Sequence, residues 1–160
     1  MKAMTPTKLL QALRLALLGL YLAGCQPQGH TTMEKQIITE PAASSPIGPY
    51  SQAIRVGNLL FVSGQIGLDP TTGELQGPDF KDEATQMMTN LSAILAKAGS
   101  SFDHVIKSTI YIRDMGQFGQ LNSLYGSYFT AGNYPARETV EVSGLPKNAR
   151  CEISVVALVP

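Results

Sequence analysis

From about Ile37 to its end the sequence predicts one small α+β domain in which two helices lie against a single sheet. Three observations predict it. Short runs rich in β-branched and aromatic residues are punctuated by Gly and Pro, two longer stretches carry apolar residues at helical spacing, and several strand-like runs are apolar on both faces. A chain of 160 residues, 44% of them hydrophobic, suffices for one core and little more. Its fifteen Gly and ten Pro fall between apolar runs rather than in one block, so they mark turns and not a disordered segment.

Ile37-Ile38 starts the first strand, and residues 41–49, bounded by prolines, form a loop. Residues 53–56 and 59–63 flank Gly57-Asn58, a pair that accepts the positive φ of a tight hairpin turn. Asp69-Pro70-Thr71-Thr72-Gly73 is a further turn, with an extended segment expected at residues 74–76. Phe80, Ala84, Met87, Leu91, Ile94 or Leu95, and Ala98 recur at helical spacing, with Asp79 placed to cap the helix and Gly99 to end it. A β-branched strand covers residues 105–112, and Phe118, Leu121, Leu124, Tyr125, Tyr128 and Phe129 give a second helix whose stripe reads as core. Residues 139–143 and 151–159 close the domain as strands. The expected order is β, β, β, α, β, α, β, β.

Ile106, Ile110 and Ile112 are read as opposing Val105 and Tyr111, and Val156 and Leu158 as opposing Ile153, Val155 and Ala157. Two helices hide only one face of such a sheet, so the other calls for a second copy of the chain, with a pocket between copies.

All charge in the first 25 residues is positive (Lys2, Lys8, Arg14), which leaves nine basic against twelve acidic residues in the remainder. That balance carries no basic footprint for nucleic acid. The basic start and the apolar run of residues 15–22 have the layout of a secretory segment, too short to span a membrane as a helix. Leu22-Ala23-Gly24-Cys25 resembles a lipobox, which implies acylation of Cys25 and cleavage before it. Residues 1–25 are therefore read as a lipoprotein signal, 26–36 as a polar tether and 37–160 as the domain, held at a membrane by its lipid alone on the periplasmic side. Gln26 after the cysteine fits outer-membrane sorting.

Cys151 is the other cysteine, and it lies in an apolar strand pattern that favours a small buried hydrophobe over a nucleophile. His30 and His104 have no recognisable partners, and metal-ligand spacing is absent. The polar residues of interest interrupt apolar segments. Arg137 follows Tyr134-Pro135-Ala136, where Pro135 stiffens the entry to a strand; its planar fork suits a carboxylate ligand or an interface salt bridge. Glu152 sits between Cys151 and Ile153, so it is either a partner of Arg137 or a poised base.

Ile47-Gly48-Pro49-Tyr50-Ser51-Gln52-Ala53, Val62-Ser63-Gly64-Gln65-Ile66, and Pro135-Ala136-Arg137 with Val140-Glu141-Val142 and Leu145-Pro146-Lys147 resemble, in order and spacing, three blocks of the RidA (YjgF) enamine/imine deaminases. The resemblance runs over about 120 residues, from Ile37 to Val159. It implies a chorismate-mutase-like domain with a mixed sheet, assembled as a homotrimer with clefts between subunits. It also implies hydrolysis of small 2-imino or 2-enamino acids to 2-keto acids and ammonia without a cofactor. By the same resemblance Arg137 clamps the substrate carboxylate, Glu152 positions or activates water, Tyr50 closes the pocket, and Ser63, Gly64 and the backbone at Thr139 line it. Asn122 is a supporting group at the site or a solvated residue; Tyr50 and Ser63 could equally be loop and strand residues with satisfied hydroxyls.

Three features depart from the family pattern. Glu138 follows the arginine where a small residue is usual, Cys151 precedes Glu152 where an aliphatic one is usual, and the signal places the domain away from cytosolic sources of imino acids. Strand alternation puts Glu138 opposite Arg137; an irregular strand would let it neutralise the clamp. The competing class is a non-catalytic trimer that binds small carboxylates or acts as a holdase. Cys25→Ser should lose metabolic lipid labelling, and an unlipidated, uncleaved native chain in the cytosol would refute the signal.

Overall fold

The computed structural model describes residues 34–160, so the signal, Cys25, His30 and the tether up to Met33 lie outside the described residues. The strands are β1 (Lys35–Ile38), β2 (Ala53–Val56), β3 (Leu59–Gln65), β4 (Val105–Ile112), β5 (Ala136–Glu141) and β6 (Cys151–Leu158); the helices are α1 (Phe80–Lys97), after β3, and α2 (Phe118–Gly126), after β4. The expected order of elements is the observed one. They build one mixed sheet in the order β1-β2-β3-β6-β4-β5, antiparallel except for the parallel pair β4 and β5, which α2 connects.

Local signals act as read. Gly57 takes φ 61° in the turn between β2 and β3. The Asp79 carboxylate accepts from the amide of Asp82 at 3.0 Å and so caps α1. At its other end Gly99, at φ 77°, lets the chain turn while the amides of Gly99 and Ser100 reach the carbonyls of Ala96 and Leu95.

One face of the sheet is closed. Leu60 and Val62 of β3, Ile110 and Ile112 of β4, and Ile153 and Val155 of β6 pack against Met87, Leu91 and Ile94 of α1 and Leu121 of α2. Cys151 belongs to this core as a buried hydrophobe, and burial pushes its thiol up to about 12.

The other face is bare. Ile37, Ile54, Phe61 and Val156 face one another across four strands, and Phe61, Ile106 and Leu158 are 45%, 44% and 37% exposed. Here one expectation is corrected. A shift of register between Val105 and Lys107 turns Val105 into the core with Ile110 and Ile112 and leaves Ile106 outside, because a bulge reverses the alternation of everything before it.

Three boundaries differ as well. β5 covers Ala136–Glu141 rather than residues 139–143, since parallel pairing with β4 begins directly after Pro135. α2 ends at Gly126, with Tyr128 and Phe129 beyond it, although Phe129 is still buried and stacks on Tyr125 at 4.5 Å. Residues 74–76 contribute a single bridge, Leu68 to Leu75, rather than a strand.

Phe61→Glu should leave the far-ultraviolet dichroism of the chain unchanged, because this side chain lies outside the core, and should lower the particle mass seen by light scattering. A variant that keeps the native mass would show that this face is not the contact between copies.

Candidate active site

The Glu152 carboxylate projects from β6 toward the bare face, since its neighbours Cys151 and Ile153 are both buried in the core. Opposite it, β3 breaks its pairing. The ladder between β3 and β6 shifts between Val62 and Gln65, leaving Ser63 and Gly64 out of register. Ser63 is turned instead to the preceding segment, its amide donating to the Gln52 carbonyl at 3.0 Å and its hydroxyl to the Ser51 carbonyl at 2.7 Å. Gly64 is left facing Glu152 so closely that a Cβ there would overlap Oε1.

Glu152 thus lies at the back of a cleft of about 260 Å³, lined by Tyr50, Gln52, Gly64, Gln65, Pro146 and others. The carboxyl is half buried, and loss of solvent holds its pKa above the ordinary carboxylate value. The loop over the cleft is pinned by buried Gln52, which accepts from the Glu40 amide and donates to the carbonyls of Glu40 and Ser44. Tyr50 bends back so that its hydroxyl accepts from the Ile47 amide at 3.1 Å, while its ring stays 45% exposed at the mouth. Gln65 donates to the carbonyls of Ser63 and Gly64 and leaves Oε1 buried with no partner among the described residues.

Arg137 stands elsewhere. It pairs with Ser108 across β4 and β5, on the face that carries the helices, at the edge of the sheet. Its Nη2 donates to Asn122 Oδ1 at 2.7 Å, and its guanidinium carbon lies 4.9 Å from the ring centre of Tyr125 and 5.7 Å from that of Phe118. The two salt bridges among the described residues, Lys107–Glu138 and Arg150–Glu83, do not include it. The fork is oriented by an amide and two aromatic faces, with donors left for an anion. Tyr125 shares a hydrogen bond of 2.9 Å with Ser108, and burial raises its pKa, which keeps the phenol neutral beside the cation. Thr139 is two residues along the same strand, and its buried hydroxyl has no partner among the described residues. Asn122, Tyr125, Tyr134, Pro135 and Arg137 line an open cleft of about 370 Å³.

The candidate residues therefore fall into two groups that share no lining residue. Tyr50, Gly64 and Glu152 form one; Asn122, Thr139 and Arg137 form the other. Ser63 lines neither cleft, its hydroxyl being engaged by the Ser51 carbonyl. Glu138 is opposite Arg137, as alternation requires, and its carboxylate is held low by Lys107 and by Thr109, which donates at 2.7 Å. Arg137 and Glu152 are not ion-pair partners within the chain.

Phe118 and Tyr125 were missed as site residues, because a stripe at positions 118, 121 and 125 reads as core whether or not a cation rests on it. Gln65 belongs to the Val62–Ile66 block but was given no role there, since nothing in the block shows that its side chain enters a cleft.

The sequence matches the family described as Endoribonuclease L-PSP over residues 40–159. A RutC family protein of Pyrococcus horikoshii is 49% identical over 123 residues, which is 77% of this chain and 97% of that protein. A 2-iminobutanoate/2-iminopropanoate deaminase of Mus musculus is 41% identical over 124 residues, 78% of this chain and 91% of that protein. The crystal structure of YyfA of Yersinia pestis, described as a Rid family protein of unknown function, matches with a TM-score of 0.76 at 44% identity, covering 79% of this chain and all of that one. With the six-stranded mixed sheet, its two helices on one face and a family match that spans every element but β1, the chain belongs to the Endoribonuclease L-PSP (RidA/YjgF) family.

Proposed function

We propose that the chain hydrolyses small 2-imino and 2-enamino acids to 2-keto acids and ammonia, at sites that each join the Arg137 cleft of one copy to the Glu152 cleft of the next in a trimer. The observation that carries this reading is the pair of incomplete half-sites. One offers a cation whose remaining donors await an anion, the other a partly dry carboxylate with no hydrogen bond from the described residues. The deaminase name of the mouse relative supports the reaction class.

The chemistry asks little of the protein beyond placement, because an imine carbon beside a carboxylate is already electrophilic. Arg137 holds the substrate carboxylate bidentately, steadied by Asn122 and the ring of Tyr125. Glu152, ionised, takes a proton from water as the oxygen bonds to the carbon of the protonated imine, whose π electrons pass to nitrogen to give a neutral carbinolamine. Glu152 returns its proton to the nitrogen, the C–N bond breaks, ammonia leaves and the hydroxyl proton is lost to give the ketone. For an enamine substrate, protonation at carbon comes first and yields the imine. The surplus of acidic residues after Cys25 opposes a polyanionic substrate. The same reading sets the domain in the periplasm on a lipid at Cys25, so its substrates are imino acids that arise or leak outside the cytosol.

The test is imine hydrolysis by the purified protein, with amino acids and an oxidase generating imines in situ. Arg137→Ala should raise KM most for anionic substrates, by about 2–5 kcal/mol, and Arg137→Lys should restore only part of it. Glu152→Gln should lower kcat by roughly 10²- to 10⁴-fold with little change in binding of a keto-acid product. Wild-type rates in both variants, with assembly intact, would replace catalysis by simple binding of small carboxylates.

A dependence on pH follows from the cleft. Glu152 is the base only when ionised, and burial raises its pKa, so kcat should fall on the acid side with a midpoint above the usual value of about 4.3. That limb should vanish in Glu152→Gln; its persistence there would assign it to another group.

A further inference from the structure

Two polar side chains of α1 are fully buried on its sheet-facing side, Glu83 and Asn90, seven residues and so two turns apart. A buried carboxylate costs several kcal/mol unless it is paired and hydrogen-bonded, and apolar residues there would pack without that cost. What the two contact suggests why they are there. Asn90 Nδ2 donates to the carbonyls of Ile66 and Leu68 at 3.1 and 2.9 Å, while its Oδ1 accepts from Gln86 Nε2 at 2.9 Å, which fixes the amide the right way round. Ile66 and Leu68 are the continuation of β3 and line the Glu152 cleft. Glu83 holds the other wall. Its Oε1 accepts from the amide of Arg150 at 2.6 Å and its Oε2 from Arg150 Nη1 at 2.7 Å, and Arg150 Nη2 donates onward to the Pro78 carbonyl at 2.9 Å. Arg150 is two residues before Glu152, at the entry to β6. Gly67 closes the set, for its Cβ would overlap the Glu83 carbonyl, so the helix and the end of β3 are in backbone contact at this point.

We propose that Glu83 and Asn90 are positioning residues that together fix where the Glu152 carboxylate stands, by holding the exit of β3 and the entry of β6 to one face of a single rigid helix. The need for such a clamp comes from the bulge. Between Val62 and Gln65 the ladder of β3 and β6 slips opposite Ser154 and then ends with the single pair Gln65–Ile153, so no residue of β3 pairs with Glu152 itself and the spacing there depends on what holds the two strand ends from behind the sheet. Two hydrogen-bonded groups set a distance, whereas apolar contacts tolerate sliding.

The inference rests on the catalytic reading only for its effect on rate, so its test includes a measurement made without substrate. Carboxyl-¹³C glutamate is incorporated into the full chain, the Glu152 signal is identified by its loss in Glu152→Gln, and its titration is followed in Glu83→Gln and Asn90→Ser. Each variant should admit water and move the Glu152 midpoint down toward the ordinary carboxylate value. Asn90→Ser changes no charge, so a shift there cannot come from losing a neighbouring carboxylate; it also decides the matter should Glu83→Gln fail to fold. Imine hydrolysis should lose roughly 10- to 100-fold in kcat with KM little changed, the scale of a displacement of about 1 Å. Variants that lose thermal stability while Glu152 titrates as in the native chain would show a merely structural role and overturn the proposal. A native protein without imine hydrolysis would overturn the catalytic reading instead, and the titration would still decide this one.

Discussion

A sheet of six strands with two helices can bury one face only, and this constraint governs the rest of the molecule. The helices take the face with Leu60, Ile110 and Ile153, and the row Ile37, Ile54, Phe61 and Val156 remains in contact with water in the single chain. Strand alternation then divides the chemistry. Arg137 shares the helix-bearing face with Ser108, Glu152 shares the bare face with Tyr111, and no side-chain rotation carries either through the sheet. A site using both has to be closed by another copy, and the trimer typical of the family supplies one. On the proposed function, assembly and catalysis are parts of one requirement.

The two halves are tuned differently. Glu152 gains basicity by losing water against Gly64, where a missing side chain makes the room. Arg137 lies among aromatic faces and an amide oxygen, partners that orient a guanidinium without forming an ion pair with it. Glu138, the nearest acidic residue in sequence, is kept from interfering by a strand that runs regularly from Ala136 to Glu141 and by Lys107 and Thr109 on the far face.

Much of this was legible in the sequence because the signals were local. The hairpin at Gly57, the cap at Asp79, the stop at Gly99 and the two helical periods each needed only neighbouring residues, and they fixed the order of elements. What escaped depended on partners distant in the chain. The bulge at the start of β4 is set by how β6 lies beside it, and no alternation pattern within residues 105–112 reveals that Val105 and Ile106 exchange faces. The start of β5 was displaced for the same reason, since pairing with β4 decides it. Glu83 gave no sign at all: a carboxylate beside Ala84 in an amphipathic helix reads as solvated until Arg150, 67 residues later, is placed over it. In the site, Arg137 and Glu152 stood out as polar residues interrupting apolar segments and the resemblance gave each a role, but their separation onto opposite faces required the sheet.

The most direct measurement mixes two impaired proteins and assays them well below the KM of Arg137→Ala, where both are close to inactive. Arg137→Ala and Glu152→Gln are unfolded together in equal amounts, refolded, and assayed for imine hydrolysis beside each variant refolded alone. If every site takes its arginine from one copy and its carboxylate from the next, random assortment restores both native groups at roughly a quarter of the sites, and activity returns to about that fraction of the native rate. Mixed trimers that form and remain as inactive as either parent would contradict a site shared between copies.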